Sequence, residues 1–240
     1  MKKRYIILIF LSVGILTFAL RSHLQKYLAE GLQTAKGRKT VQQRLEQYGQ
    51  SVQERFLPYF EAAKIPYPPK KVIFVGLKHE KILEVWACGK ENRFSLIRTY
   101  PILAASGRLG PKLKEGDRQV PEGLYRIESL NPNSIFHLSL RINYPNEFDR
   151  QQAERENRTN LGGDIMIHGS NASIGCLAMG DEAAEDLFIL AAVTGIDNIS
   201  VILSPVDFRK NVFPKVTYPS PEWKDLLYEQ IKQELSKLKT

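Results

Sequence analysis

Ile165-Met166-Ile167-His168-Gly169-Ser170-Asn171-Ala172-Ser173-Ile174-Gly175-Cys176-Leu177-Ala178-Met179 is the stretch from which the rest of this chain is best read. An apolar run of strand type, expected over Asp164–His168, delivers a histidine to its end. A loop of small residues follows and closes on Gly175-Cys176. Beyond it a helix is expected over Asp181–Val193, with Asp181 as N-cap and Gly195 as the stop. Nucleophilic cysteine chemistry wants a thiol on a rigid elbow, an imidazole nearby as base and little bulk between them. Gly169 and Gly175 permit close backbone approaches. The amides of Gly175 and Cys176, taken as lying near the start of the next helix, are candidate donors to an oxyanion. The same positive field would favour a thiolate at Cys176.

Blander readings stand beside this one. A histidine at a strand end commonly holds a structural hydrogen bond, and a lone cysteine is commonly core. A zinc site would need more ligands, and His23, His79 and His137 show no ligand-like spacing with Cys176. No metal and no cofactor are therefore expected. Spacing alone leaves the catalytic and the structural readings open.

Outward from the loop, the chain has the texture of an α+β protein. Strands are expected at Val72–Leu77, Ile82–Ala87, Phe94–Tyr100, Gly123–Ile127, Ile135–Ile142 and Ile199–Leu203, with a long loop through Gly107–Pro111 and Glu115–Asp117. Before them, Val41, Leu45, Tyr48, Val52, Phe56 and Phe60 recur at helical spacing over Thr40–Ala63, a helix expected to be interrupted at Gly49 and Pro58. Pro66, Pro68 and Pro69 then form a hinge no helix crosses. A second amphipathic helix is expected over Glu222–Lys237. The organisation that follows is 1–21 a leader, 22–69 a helical membrane-proximal segment, 70–215 the catalytic domain and 216–240 a C-terminal helix.

The chain has 240 residues and a formal charge of +8. Residues 1–71 hold 13 Lys+Arg against 4 Asp+Glu, an excess of nine, so the remainder sits at −1. A nucleic-acid-binding domain would carry its basic charge on the folded part, so no nucleic acid is expected. Lys2, Lys3 and Arg4 precede an uncharged run, Tyr5–Leu20, which reads as a signal peptide or an uncleaved signal anchor. If uncleaved, it is the membrane contact. Of the two cysteines, Cys88 lies in the strand-like run Leu83–Cys88 and reads as a buried thiol rather than a disulfide partner of Cys176.

The central stretch resembles the catalytic motif of the L,D-transpeptidase (YkuD-type) family, a His-Gly followed by a loop and Ser-x-Gly-Cys. It is most similar to the murein transpeptidase-like YafK branch, whose short motif ends Ser-Ile-Gly-Cys-x-Ala-Met. Gly110-Pro111-Lys112, Glu115-Gly116-Asp117, Pro121-Glu122-Gly123-Leu124-Tyr125, Asn143-Tyr144-Pro145-Asn146 with Asp149, and Arg158-Thr159 extend the resemblance over about residues 70–215. It implies a mostly β mixed sandwich with flanking helices, Cys176 as nucleophile, His168 as general base, and the Gly169 carbonyl orienting the ring. Ser173 and Gly175 complete the motif. Two departures stand out: Ile174 replaces a second histidine, and Ala178 replaces an arginine suited to clamping a substrate carboxylate. Arg118 and Arg158 are nominated in its place. Tyr144, Asn146 and Asp149 read as holding a loop rather than shaping the groove. The activity implied is acyl transfer on peptidoglycan stem peptides through a thioester, in a bacterial envelope. The alternatives are a hydrolase of wall crosslinks or wall-attached lipoprotein using the same pair, and an inactive wall-binding protein. Oligomeric state stays open.

Overall fold

A computed structural model describes residues 37–89, 93–210 and 220–238. The leader expected at 1–21 lies outside the described residues, and no helix among the described residues is long and apolar enough to cross a membrane.

Helix α1 (Val41–Ala62) opens with a capping box: Thr40 Oγ1 accepts from Gln43 N–H while Gln43 reaches back to Thr40 N–H. The expected interruption does not occur. Pro58 sits inside the helix, where its missing N–H costs one bond, and the buried Val52, Phe56 and Phe60 grip both sides of it. Burying each of these side chains is worth about 1.5–3 kcal/mol, comparable with the roughly 3 kcal/mol an interior proline costs.

Eight strands follow: β1 (Val72–Leu77), β2 (Ile82–Cys88), β3 (Phe94–Pro101), β4 (Gly123–Ser134), β5 (His137–Ile142), β6 (Met166–His168), β7 (Leu177–Ala178) and β8 (Ile199–Ser204). Hydrogen bonds join them in one mixed sheet of order β3-β2-β1-β8-β4-β5-β6-β7, with β1–β8 and β6–β7 parallel. The sandwich expected from the resemblance is thus one continuous sheet. The long strand β4 makes the continuity, because Gly123–Arg126 pair with β8 and Ile127–Ser134 pair with β5. The strand expected to begin at Ile135 begins at His137, and Ile135 and Phe136 are the turn. Asn131-Pro132-Asn133 looks like a turn in sequence. It is strand because the ladder shifts register between Asn131 and Ser134, where no proline N–H is required.

Helix α2 (Glu147–Arg155) lies where a loop was expected, and Asn146 and Asp149 form its capping box. Helix α3 (Asp181–Thr194) ends at Gly195 as expected, but its N-cap is Gly180, which offers no side-chain cap. The Asp181 carboxylate instead accepts from Ser170 N–H at 2.8 Å. Helix α4 (Lys224–Ser236) closes the chain.

Helices cover both faces of the sheet. On one, Val52, Phe56 and Phe60 of α1 and Leu187, Phe188 and Leu190 of α3 share a core with Phe74, Val85, Leu140 and Ile167. On the other, Leu227, Ile231 and Leu235 of α4 pack on Val75, Leu77, Trp86 and Ile202. The core therefore runs unbroken across the proline hinge. A buried ion cluster reinforces the join: Asp186, fully enclosed, takes Arg55 Nε at 2.7 Å, Arg98 Nη1 at 3.0 Å and Tyr100 Oη at 2.8 Å.

Candidate active site

The register around β6 decides which side chains meet. Leu140 pairs with Ile167 and Ile167 with Leu177, and all three face the core. Ser139 pairs with His168, Arg141 with Met166 and His168 with Ala178. Alternation puts Ser139, Arg141, Met166 and His168 on the opposite face, and Cys176, in the bend before β7, brings its sulfur to the Met166 amide. His168 thus sits on β6, the strand whose Met166 amide holds the Cys176 sulfur. Cys176 stands level with Met166, two residues from His168, a step of roughly 6–7 Å along the strand.

His168 is 1% exposed. Its Nδ1 lies 2.6 Å from the Gly169 carbonyl, and its ring stacks on Phe136 with centroids 4.6 Å apart. Nδ1 is therefore the protonated nitrogen, which leaves Nε2 with a lone pair. Burial pushes the imidazole below its usual range against the Gly169 bond. Gly169 has no room for a side chain: a Cβ there would lie 2.6 Å from Asp181 Oδ1, 2.6 Å from Phe136 O and 2.9 Å from His137 Cβ.

The Cys176 sulfur accepts from Met166 N–H at 3.4 Å and donates to the Asp164 carbonyl at 3.6 Å. No hydrogen bond joins it to the ring of His168 among those of the described residues. Burial pushes the thiol up, the Asp164 charge adds to this, and the Met166 amide and the Lys112 ammonium oppose it. Burial thus disfavours the charged form of both groups. The helix start expected to favour a thiolate does not follow the sulfur directly: Cys176 is followed by strand β7, and α3 starts only at Asp181.

The elbow is built from hydroxyls. Ser173 Oγ donates to Cys176 O at 2.7 Å and accepts from Cys176 N–H at 3.0 Å. Ser106 Oγ accepts from Gly175 N–H at 2.7 Å and donates to Arg118 O at 2.6 Å. Both amides nominated for an oxyanion hole are therefore engaged within the protein. Gly175 has φ +84°, which favours glycine. Cys88 is buried in β2, and both cysteines are free thiols.

Of the two nominated arginines, Arg158 lines a groove between residues 107–119 and 157–160. Its Nη1 bonds Leu113 O at 2.7 Å and its Nε bonds Glu156 at 2.6 Å. Arg118 is exposed and outside that groove; its backbone carbonyl, not its guanidinium, supports the elbow. Tyr144, Asn146 and Asp149 act as the sequence suggested, in holding structure: Asn146 and Asp149 cap α2, and Tyr144 Oη reaches Leu161 O at 3.2 Å.

Several neighbours carry no signal in the sequence. Ser139, buried without a partner for its hydroxyl, faces His168 across the ladder. Phe136 and Ser106 arrive from a turn and a loop distant in sequence. The Gly110–Glu122 segment does carry one, its run of glycine, proline and charge. Glu122, fully buried, accepts from Lys78 Nζ at 2.8 Å, Gly110 N–H at 2.6 Å and Tyr228 Oη at 2.7 Å. Asp117 accepts from Lys112 at 2.6 Å and from the amides of Leu113, Lys114 and Gln119. These two carboxylates hold the loop's own shape and tie it to Lys78 and Tyr228.

Comparison with known proteins places the chain in a family. The L,D-transpeptidase catalytic domain (YkuD) matches residues 70–202. YafK of Escherichia coli K12, an L,D-transpeptidase by assignment rather than by established activity, is 32% identical over 160 residues, 65% of this chain and 61% of YafK. The chain thus spans about three fifths of that relative's length. Among solved structures, the helical cell shape determining protein Pgp2 of Campylobacter jejuni aligns at TM-score 0.47 and 18% identity over 70% of each chain. L,D-transpeptidase 1 of Mycobacterium tuberculosis aligns at TM-score 0.32 and 18% identity, covering 56% of this chain and 62% of that one. The family match runs from just before the first strand of the sheet into the last and spans more than half of the chain, so this protein belongs to the L,D-transpeptidase catalytic domain family.

Proposed function

We propose that this protein is a cysteine-nucleophile acyl transferase acting on peptidoglycan stem peptides in the bacterial envelope. What supports the reading is that the Cys176 sulfur rests on the Met166 amide, two residues before His168 on β6, while the Gly169 carbonyl fixes Nδ1 of that histidine so that Nε2 is the basic nitrogen. The sulfur swings from the Met166 amide toward the ring, and Nε2 takes its proton. Sulfur then attacks the carbonyl of the scissile linkage at the diaminopimelate residue. The C–N bond breaks, and the leaving amine takes the proton back from His168. An acceptor amine, deprotonated by His168, attacks the thioester carbon and releases the Cys176 thiol. If water takes the acceptor's place the same steps amount to hydrolysis. A neutral imidazole held below its usual pKa is the form this sequence requires, and a protonated thiol is one it tolerates.

Mass spectrometry after exposure to tetrapeptide-bearing muropeptides tests the proposal. We expect an acyl adduct on Cys176, absent in Cys176→Ala, and its transfer to a labelled D-amino acid. Release of the adduct to water alone makes the enzyme a hydrolase. No adduct, together with a Cys176 thiol no more reactive than Cys88, refutes catalysis and leaves a wall-binding protein.

A further inference from the structure

Residues 72–240 carry a net charge of −1, yet one groove beside the elbow gathers cations. It encloses about 720 Å³ between two walls, residues 107–119 and residues 157–160. Its charged lining is Arg108, Lys114 and Arg158 against Asp117, and Arg158 pairs with Glu156 at 2.6 Å. Asp117 is already occupied by Lys112 and three backbone amides. Asn157, Thr159, Asn160 and Gln119 add neutral polar groups. The walls are tied to each other by Arg158 Nη1 on Leu113 O and by Glu115 N–H on Asn160 O at 3.0 Å, so the cleft is set before any ligand arrives.

Both walls run into the candidate nucleophile's surroundings. Next to Gly107, Ser106 takes the Gly175 amide. The Gln119 carbonyl lies 3.7 Å from where a Gly175 Cβ would stand. The other wall continues from Asn160 to Asp164, whose carbonyl takes the Cys176 thiol. A chain whose scissile bond sits at Cys176 meets this cleft with its adjoining residues.

We infer that the groove between residues 107–119 and 157–160 seats the carboxylate-bearing part of the peptide substrate, with Arg108, Lys114 and Arg158 as its partners. This rests on the proposed peptide-acyl reading and deepens it: these cations do the work that an arginine at position 178 would otherwise do. Arg158 is pre-oriented by Leu113 O and Glu156, while Lys114 and Arg108 are exposed and reach the ligand from the facing wall. Carboxylates are the ligand because a peptide substrate of this site carries them in the chain. A phosphate polymer is the rival the test must exclude.

The test reads binding rather than turnover. Cys176→Ala full-length protein is titrated calorimetrically with a muropeptide bearing free carboxylates and with the same peptide in which they are converted to carboxamides. At low salt we expect the free acid to bind about tenfold more tightly, the size of a charge-assisted hydrogen bond in a partly exposed cleft. Adding Arg108→Gln and Lys114→Gln should cut that preference to about threefold or less while leaving the carboxamide affinity unchanged. Equal melting temperatures establish that these exposed substitutions do not unfold the protein. Should the loops nevertheless move, the acid-to-amide comparison in the Cys176→Ala background stands by itself. Equal affinity for acid and amide overturns the inference. So does an equal loss of both ligands in the variant, tighter binding of polyglycerol phosphate than of the peptide, or no binding of either peptide. An unmodified Cys176 in the wild type together with an intact acid preference sinks the catalytic proposal and leaves the groove assignment standing.

Discussion

Gly169→Ala tests the way the imidazole is held. The added methyl would stand 2.6 Å from Phe136 O, 2.6 Å from Asp181 Oδ1 and 2.9 Å from His137 Cβ, where side-chain carbons essentially never come closer than 3.0 Å. Phe136 O belongs to the β4–β5 turn and His137 Cβ to the first residue of β5, and neither can rotate aside. Overpacking of this kind costs about 1–3 kcal/mol. If Asp181 gives way instead, the Ser170 N–H···carboxylate bond of 2.8 Å is lost, worth about 1.5–3 kcal/mol. Moving Asp181 leaves the other two contacts in place, so the costs combine, and a total of at least about 3 kcal/mol is expected. For a folded unit of this size that is a fall in Tm of roughly 6–12 °C. Phe136, whose ring stacks on His168, moves with its carbonyl. Guanidinium unfolding measures the stability, and nitrogen-15 NMR of the histidine ring reports whether Nδ1 keeps its proton. A variant within about 0.5 kcal/mol of the parent and with an unchanged ring tautomer would refute the account of a sealed backbone at this position.

Two further outcomes follow from the electrostatics. Alkylation of Cys176 by iodoacetamide should rise with pH through a midpoint above the ordinary cysteine range, because burial and Asp164 disfavour the thiolate. Asp164→Asn should move that midpoint down, and a plateau already reached at neutral pH would show an ion pair instead. Glu122→Gln leaves the Lys78 ammonium, which burial already pushes below its usual pKa, with neutral acceptors and no counter-charge at that position. Leaving one member of such a buried pair costs about 3–5 kcal/mol. Chemical denaturation checks this, and a loss under about 1 kcal/mol would mean that the clasp contributes nothing.

What the chain's own order of residues determined is local. Six apolar positions at helical spacing suffice for α1, short alternating runs for β1, β2, β3 and β8, and Gly195 for the end of α3, since each depends only on neighbours within a turn or a pleat. The His-Gly and Gly-Cys of the loop are likewise visible as a motif. Helix α2 was not, because its buried face is Gln152, Ala153 and Asp149, with too little apolar periodicity to register against a polar loop. The long β4 hid behind Asn131-Pro132-Asn133, whose strand state depends on a register shift against β5. Only the tertiary structure decided the chemistry of the site. The charge state of Cys176 depends on burial and on Asp164, the engagement of the Gly175 and Cys176 amides on Ser106 and Ser173, and the clustering of Arg108, Lys114 and Arg158 on two loops some 50 residues apart. Proton affinity and hydrogen-bond occupancy belong to an enclosed volume, and a linear pattern carries no information on what closes it.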